Sequence, residues 1–192
     1  MFSAMTGDAG TEISSVAATA ALLDAALDQM ALVIAGTRPD QLALATPCTD
    51  WDVRALLRHM VGGPHLFAAM AQGQKVDPTA PQPDRLGDRD PAAALGDARG
   101  ALETALRQHP ERAARLRPIV AVESAIHSWD LAQATGQVVR LDPVIAERAL
   151  ALVRERLTPA ARAGNTAFGP EVPVGAGAPA YDRLAGFLGR EP

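Results

Sequence analysis

The stretch ESAIHSWDLA, residues 123–132, places three polar side chains among residues that favour a helix. On a helix, Glu123 and His127 lie about 40° apart and roughly 6 Å along the axis, and Asp130 returns to within about 20° of Glu123. The three side chains therefore share one face. The other residues along the helix are mostly apolar, namely Ile119, Val120, Val122, Ala125, Ile126, Trp129 and Leu131. A helix that is apolar nearly all round is typically buried, so the stretch predicts a largely buried helix with one polar stripe.

A buried carboxylate at Glu123 needs a partner, because an unpaired charge in the interior costs several kcal/mol or becomes protonated. A metal ion is one solution, since a Glu and a His four residues apart are the kind of pair that forms metal sites in helical bundles. A buried ion pair with a histidine or an arginine explains the same stripe. The spacing alone leaves both alternatives open.

A third metal ligand must come from another helix, and His59 is the best candidate because we expect it to face inward near the end of the second predicted helix. His65 follows a Gly-Gly-Pro break and should point elsewhere, and His109 ends a helix, where an exposed imidazole is expected. Cys48 should lie about 15 Å or more from His59 if the intervening turns are mostly helical. We therefore predict that Cys48 is a small buried apolar residue outside the ligand set.

Apolar residues at helical spacing extend this interpretation to the rest of the chain. They predict helices over about 12–35, 49–61, 91–108, 118–135, 142–157 and, more briefly, 180–189. No alternating pattern of useful length indicates a strand. The sequence thus predicts a single all-α domain over residues 1–192. An up-down four-helix bundle over about 12–157 is expected, followed by a Gly/Pro-rich C-terminal extension over about 158–192.

Local signals define where these helices begin and end. Thr49 and Asp52 resemble a capping box at the start of the second helix. Residues 62–64, Gly-Gly-Pro, are expected to break or kink that helix. The segment 73–91 is rich in proline, glycine and aspartate, which predicts a long surface loop.

Composition argues against several classes of function. The net charge is −4 and the sequence pI is about 5.5, so a nucleic acid is not an expected partner. A single cysteine excludes an intramolecular disulfide framework and a Cys-rich zinc site, and it fits a reducing compartment. No window reaches about 18 uninterrupted apolar residues, so no membrane anchor is expected. These features predict a cytoplasmic protein.

Three segments together resemble a known family. TPCTDWDVRALLRHMVGG (46–63), VESAIHSWDLAQATGQ (122–137) and FGPEVPVGAGAPAYDRLAGFLGREP (168–192) are similar to actinobacterial DinB-like proteins. Those proteins are related to the N-terminal domain of mycothiol-dependent maleylpyruvate isomerase. Each segment alone is a weak signal, but the three occur in the expected order and at the expected separations.

The resemblance implies a DinB-like four-helix bundle that holds a divalent metal. The ligand positions of that superfamily match His59, Glu123 and His127. The resemblance implies zinc or a nickel-like ion, although nitrogen and oxygen ligands alone also admit iron, manganese or cobalt. Asp130 would then orient a ligand or accept a proton beside the metal. Pairing of Asp130 with an arginine is the alternative.

Two functions follow from this resemblance. The first is a metal-dependent thiol S-transferase that joins a mycothiol-like thiol to a small electrophile. The second is a non-catalytic bundle in which the site is structural or binds a ligand. The isomerase carries a further C-terminal domain, whereas this chain has only a short tail, so isomerase activity is not expected. A homodimer is a possible assembly, although no sequence feature identifies its interface.

Overall fold

The helical content of the chain agrees with the sequence. The computed structural model describes residues 6–49, 51–77, 80, 82–158, 161–162 and 168–192. Residues 6–15 are described by their backbone alone. Within the described residues there are six α helices, which confirms the all-α class. They are α1 (Thr6–Ala35), α2 (Val53–Ala71), α3 (Pro91–Gln108), α4 (Pro110–Thr135), α5 (Pro143–Arg156) and α6 (Ala180–Phe187).

The central helix is α4. It packs against α1, α2 and α5, and α2 also packs against α3. The side chains of Ala125, Ile126 and Trp129 are fully buried, as the apolar residues on most faces of this helix predict. The polar side chains of His127 and Asp130 are buried as well. They therefore project into the interior of the protein.

Helix α2 begins later than predicted and is not interrupted. Its N-cap is Asp52, whose carboxylate accepts a hydrogen bond from the Ala55 N–H at 2.7 Å, so the capping box expected at Thr49 is wrong. Of the break or kink expected at residues 62–64, the break is wrong, because α2 continues through Pro64. A proline inside a helix removes one backbone hydrogen bond. Buried apolar side chains on both sides of it keep α2 packed against α3 and α4, and this packing outweighs the local cost.

Two other helices are longer than predicted. Helix α4 begins at Pro110 instead of near Pro118, because a proline in the first turn loses no helical hydrogen bond and Pro118 is accommodated inside the helix. Its C-terminal end was predicted correctly: Gly136 has φ 74°, the left-handed conformation that glycine favours after a helix. Helix α1 begins at Thr6 instead of about residue 12. No proline lies between Thr6 and residue 12 to interrupt the helix.

The remaining boundaries follow the prediction. Helix α3 spans the predicted residues, and the Asp142 side chain caps α5 by accepting a hydrogen bond from the Val144 N–H at 2.9 Å. The described residues between α2 and α3 form the predicted irregular loop, in which Leu86 is buried. The loop is therefore attached to the core at that residue.

One stretch, Val16–Ala35 of α1, is long and apolar enough by composition to cross a membrane. Its Ala26, Leu27 and Val33 side chains are buried in the hydrophobic core, where α1 packs against α4. A core helix accounts for this composition.

The C-terminal segment, residues 168–192, folds back onto the helices. Helix α6 packs against α5 and α4. The Gln29 side chain donates a hydrogen bond to the hydroxyl of the buried Tyr181, which ties α6 to α1. The Val172 N–H donates to the Gly186 carbonyl at 2.8 Å and closes the segment on itself. The segment thus brings its last residues against the core.

We expect the Gly189→Ala substitution to loosen this segment. Gly189 has φ 86°, and an added Cβ would lie 2.9 Å from the backbone of Gly169. Strain and overlap should lower the free energy of unfolding by roughly 1–3 kcal/mol, measured by urea denaturation. The control is Gly100→Ala in α3, where an added Cβ has no heavy atom within 4 Å. That change should be neutral or stabilising by about 0.5–1 kcal/mol. Equal stability of the two variants would contradict the described packing.

Candidate metal centre

Three potential metal ligands lie together between α2 and α4. The Glu123 Oε2 atom is 3.3 Å from His127 Nε2 and 3.8 Å from His59 Nε2. One ligand atom from each of these residues lies within 4.8 Å of the other two. Glu123 and His127 come from successive turns of α4, and His59 comes from α2. The structure therefore brings together the three residues that the sequence singled out.

The local fold positions His59. The Asp52 cap fixes the start of α2, so His59 lies on the second turn of that helix. Just before the helix, Trp51 places its indole against the imidazole of His59, with ring centroids 4.7 Å apart. The same indole is 6.1 Å from the ring of His127. Trp51 is partly buried and forms a wall of the site.

The arrangement fits a divalent metal ion. Zinc–nitrogen bonds of about 2.0–2.1 Å place tetrahedral ligand atoms about 3.4 Å apart, close to the two distances from Glu123. Two imidazoles and a carboxylate are a nitrogen and oxygen donor set that zinc, nickel and iron accept. Three protein ligands would leave at least one coordination position for a small molecule. Only small side-chain movements would be needed for His59, Glu123 and His127 to share one ion.

Asp130 contacts the ring nitrogen of His127 that faces away from Glu123. Its Oδ2 atom is 2.9 Å from His127 Nδ1. The guanidinium of Arg190 donates to the same carboxylate at 3.1 and 3.3 Å. Asp130 therefore makes both of the contacts considered from the sequence, one with the histidine and one with an arginine. A carboxylate in this position fixes the imidazole so that Nε2 points toward the other ligands.

Cys48 lies beside this network, against His127 and Asp130, so the expected separation of about 15 Å or more from His59 placed it too far from the site. Its Sγ atom is 3.8 Å from His127 Nδ1, and its thiol donates to Asp130 Oδ2 at 3.0 Å. The distance estimate failed because α2 begins only at Val53. The preceding residues turn back instead, with Thr46 bonded to the Trp51 carbonyl and a bridge between Ala45 and Asp52.

Cys48, His127 and Asp130 form a second group that could hold a metal. The Arg190 guanidinium, however, lies 3.7 Å from Cys48 Sγ as well as against Asp130. It already supplies a positive charge at that place, which disfavours a second cation. The group around Glu123 is therefore the better metal candidate.

Arg190 was missed by the sequence analysis. It follows Gly189 in the C-terminal segment, and its backbone N–H donates to the Ala185 carbonyl at 2.9 Å. The side chain is 10% exposed, and the carboxylate of Asp130 is fully buried. A buried aspartate on α4 signals that a cation is needed, but the sequence does not indicate which of the arginines supplies it.

A cavity of about 480 Å³ opens onto the candidate ligands. Its walls come from the turn before α2, from α2 and α4, and from the C-terminal segment. Cys48 and Trp51 lie on one side, and Gly189 and Arg190 lie on the other. Among the described residues of the loop at 73–91, none lines this cavity. The volume falls in the range of small-molecule sites, about 300–1,000 Å³.

The other two histidines lie elsewhere. His65 lies in the second half of α2, where burial and the nearby charge of Arg85 lower the pKa of its imidazole. His109 separates α3 from α4, and its ring contacts Arg112 at 3.4 Å. Neither belongs to a potential ligand group among the described residues.

Comparison with known proteins gives this site a family context. A family model described as the mycothiol maleylpyruvate isomerase N-terminal domain matches residues 23–139. That stretch is more than half of the chain, and it contains His59, Glu123 and His127. The chain belongs to this family.

Two similar proteins come from Mycobacterium tuberculosis. They are uncharacterized protein MT0763 of strain CDC 1551 / Oshkosh and uncharacterized protein Rv0738 of strain ATCC 25618 / H37Rv. Each is 33% identical to this chain over 174 residues, which cover 86% of this chain and 93% of the relative. The similarity thus extends beyond the matched family domain. No solved structure matches the chain significantly.

The contacts in this family member shift the pKa values of Glu123 and His127. Burial opposes ionisation of Glu123, but the adjacent imidazoles of His127 and His59 outweigh it and hold the pKa of Glu123 below its usual range. Burial alone would lower the pKa of His127, but contacts with Asp130, Cys48 and Glu123 raise that pKa well above its usual value. Metal binding through His127 Nε2 requires that nitrogen to be deprotonated, so protons compete with the metal for this ligand.

The Asp130 carboxylate should make the metal-free protein sensitive to acid. Burial opposes its ionisation, but the His127 hydrogen bond and the Arg190 charge lower the pKa of Asp130 below its usual 3.8. A lowered pKa contributes stability above the unfolded value, and this contribution is lost as the pH falls through the folded value. The free energy of unfolding should therefore fall more steeply between about pH 5 and pH 2 in the wild type than in Asp130→Asn.

Urea denaturation at a series of pH values in the presence of a chelator measures this difference. The control is Asp40→Asn, which removes a surface carboxylate that pairs with Arg38. This change should alter the slope of the free energy of unfolding against pH less than Asp130→Asn does, because solvent screens an exposed pair. Identical slopes for wild type and Asp130→Asn would show that the buried carboxylate is not stabilised as described.

Proposed function

We propose that this protein binds a divalent metal through His59, Glu123 and His127 and acts as a metal-dependent thiol S-transferase. One observation carries the proposal: two histidines and a glutamate converge at the wall of an open cavity large enough for a small molecule. Three protein ligands and access to a cavity are typical of catalytic sites, whereas structural sites are closed by four. Zinc is the proposed ion, with nickel as the alternative.

Each residue around the proposed metal has a distinct task. Asp130 holds a proton on His127 Nδ1, which keeps the lone pair of Nε2 available to the ion. Arg190 neutralises Asp130, and Trp51 packs against His59 to limit the rotation of its ring. A divalent ion held there would lower the pKa of a thiol and polarise an electrophile. Because Asp130 already has several partners, we propose that it positions His127 and does not act as the base.

The proposed reaction joins a thiol to an electrophilic carbon. The S–H bond breaks, and its proton leaves to water in the open cavity. The sulfur forms a bond to the carbon, while the bond from that carbon to its leaving group breaks and the leaving group takes the bonding electrons. No oxidant or reductant is needed.

A mycothiol-like molecule is the proposed thiol. The support is the family, whose description names mycothiol, together with a cavity of suitable size.

We also propose that α1 to α4 correspond to the four-helix bundle implied by the resemblance, and that the protein acts in the cytoplasm.

The test is a conjugation assay with zinc-loaded protein, mycothiol and monochlorobimane. We expect saturable thiol dependence and a loss of activity after zinc is removed, restored when zinc is added back. His109→Ala, a histidine outside the site, should retain the wild-type rate. If the zinc-loaded protein neither binds mycothiol nor accelerates conjugation, the transferase proposal fails.

A structural role for the group is the second candidate. One observation favours it: Glu123 already pairs with His127 and His59, so the polar stripe is satisfied as an ion-pair network. In this case His127→Ala would mainly reduce stability, and any bound zinc would have no exchangeable position for a thiol. Zinc binding without thiol binding is therefore the result that selects this function.

A further inference from the structure

A second cavity, of about 270 Å³, lies beside the candidate metal centre. Helix α4 forms one wall with Pro118, Ile119 and Val122, and Leu152 of α5 faces it. Phe168, from the C-terminal segment, also lines the cavity. Most of this lining is hydrocarbon. We call this space the apolar chamber.

The apolar chamber adjoins the cavity of the metal centre. Glu123 and Phe168 line both spaces. On α4, Ile119 precedes Glu123 by four residues, so it lies about 6 Å along the helix on the same face. A molecule whose reactive group is at Glu123 can therefore extend its other end toward Ile119.

The chamber leaves apolar surface open to solvent. Ile119 is 44% exposed although it lies on the central helix. Apolar surface in a concave site is typical of a ligand-binding subsite. An apolar cavity of about 150 Å³ can hold benzene, so this larger chamber has room for a substituted ring or a medium-length alkyl chain.

We infer that the apolar chamber binds the hydrocarbon part of the electrophilic substrate. The substrate class is a small molecule with an electrophilic carbon at one end and an alkyl or aryl group at the other. The position of the reactive end rests on the proposed function, whereas binding of the hydrocarbon part rests on the chamber alone. The cavity around Cys48 and Arg190 is left for the thiol.

The experiment tests the position of the reactive end and the binding of the hydrocarbon part separately. Isothermal titration calorimetry compares acetohydroxamate with octanohydroxamate on zinc-loaded protein, since both carry the same metal-binding group. Ile119→Gln makes the chamber polar at a half-exposed position, so the variant is expected to fold. Leu32→Gln on α1 is the matched control, because Leu32 is 46% exposed and lines neither cavity. Benzyl alcohol, which does not chelate zinc, is titrated into metal-free protein while methyl chemical shifts are recorded.

The inference predicts at least tenfold tighter binding of octanohydroxamate than of acetohydroxamate, with the gain reduced in Ile119→Gln and kept in Leu32→Gln. Benzyl alcohol should shift the methyl signals of Ile119, Val122 and Leu152. Equal affinity for the two hydroxamates, with no shift of these signals, would overturn the chamber and leave the metal centre intact. If neither hydroxamate binds but benzyl alcohol shifts the signals, the chamber is supported and the proposed metal centre fails.

Discussion

The His127→Ala variant is expected to bind zinc more than about 100-fold more weakly than the wild type. Loss of a residue that only orients a ligand typically costs 10–100-fold in metal affinity, so loss of the ligand itself should cost more. The His127 ring lies within reach of Glu123 on one side and Asp130 on the other, so its removal affects both. Competition with a chromogenic zinc chelator measures the affinity directly.

The matched control for this variant is His109→Ala, which removes a histidine outside the site and should leave zinc affinity unchanged. Circular dichroism of both variants without metal separates loss of affinity from loss of folding. Retention of zinc in His127→Ala would exclude the proposed ligand set and the Cys48 group together, because both contain His127. Loss of zinc in Cys48→Ser but not in His59→Ala would instead favour the group around Cys48.

The Arg190→Ala variant is expected to lower the free energy of unfolding of the metal-free protein by about 3–5 kcal/mol. Its guanidinium bonds to Asp130, whose side chain is fully buried. Removing one partner of a buried ion pair leaves the other charge without compensation, which costs far more than the pair contributes as a unit. Urea denaturation at neutral pH gives the value.

The control for this substitution is Arg38→Ala. Arg38 pairs with Asp40 at 3.1 Å, but both side chains are more than half exposed. Exposed pairs contribute at most about 1 kcal/mol, so this variant should remain close to the wild type. If Arg190→Ala is as stable as Arg38→Ala, the Arg190 side chain of the C-terminal segment does not contact Asp130 in solution.

The central helix and its polar stripe could be predicted because both depend on local spacing. Residues four apart on a helix must lie on one side, so the neighbourhood of Glu123 and His127 follows once α4 is helical. His59 required one further step, the expectation that it faces inward from the second predicted helix. These three positions come from side-chain periodicity and need no knowledge of loops.

The rest of the site could not be predicted, because it depends on contacts between distant segments. Cys48 reaches Asp130 through an irregular turn, and Arg190 does so through a C-terminal segment folded over α5. Neither the turn nor the C-terminal segment has a periodic sequence pattern that predicts this contact. The continuity of α2 through Pro64 was not predicted for a related reason: tertiary packing outweighed a local helix-breaking signal.

The most direct test of the metal centre is anomalous diffraction at the zinc absorption edge from crystals grown with zinc. We expect one strong peak about 2.0–2.2 Å from His59 Nε2, His127 Nε2 and a carboxylate oxygen of Glu123, with a further position open to the cavity. A peak bonded to Cys48 and Asp130 instead, or no peak between the three predicted ligands in zinc-saturated crystals, would contradict it.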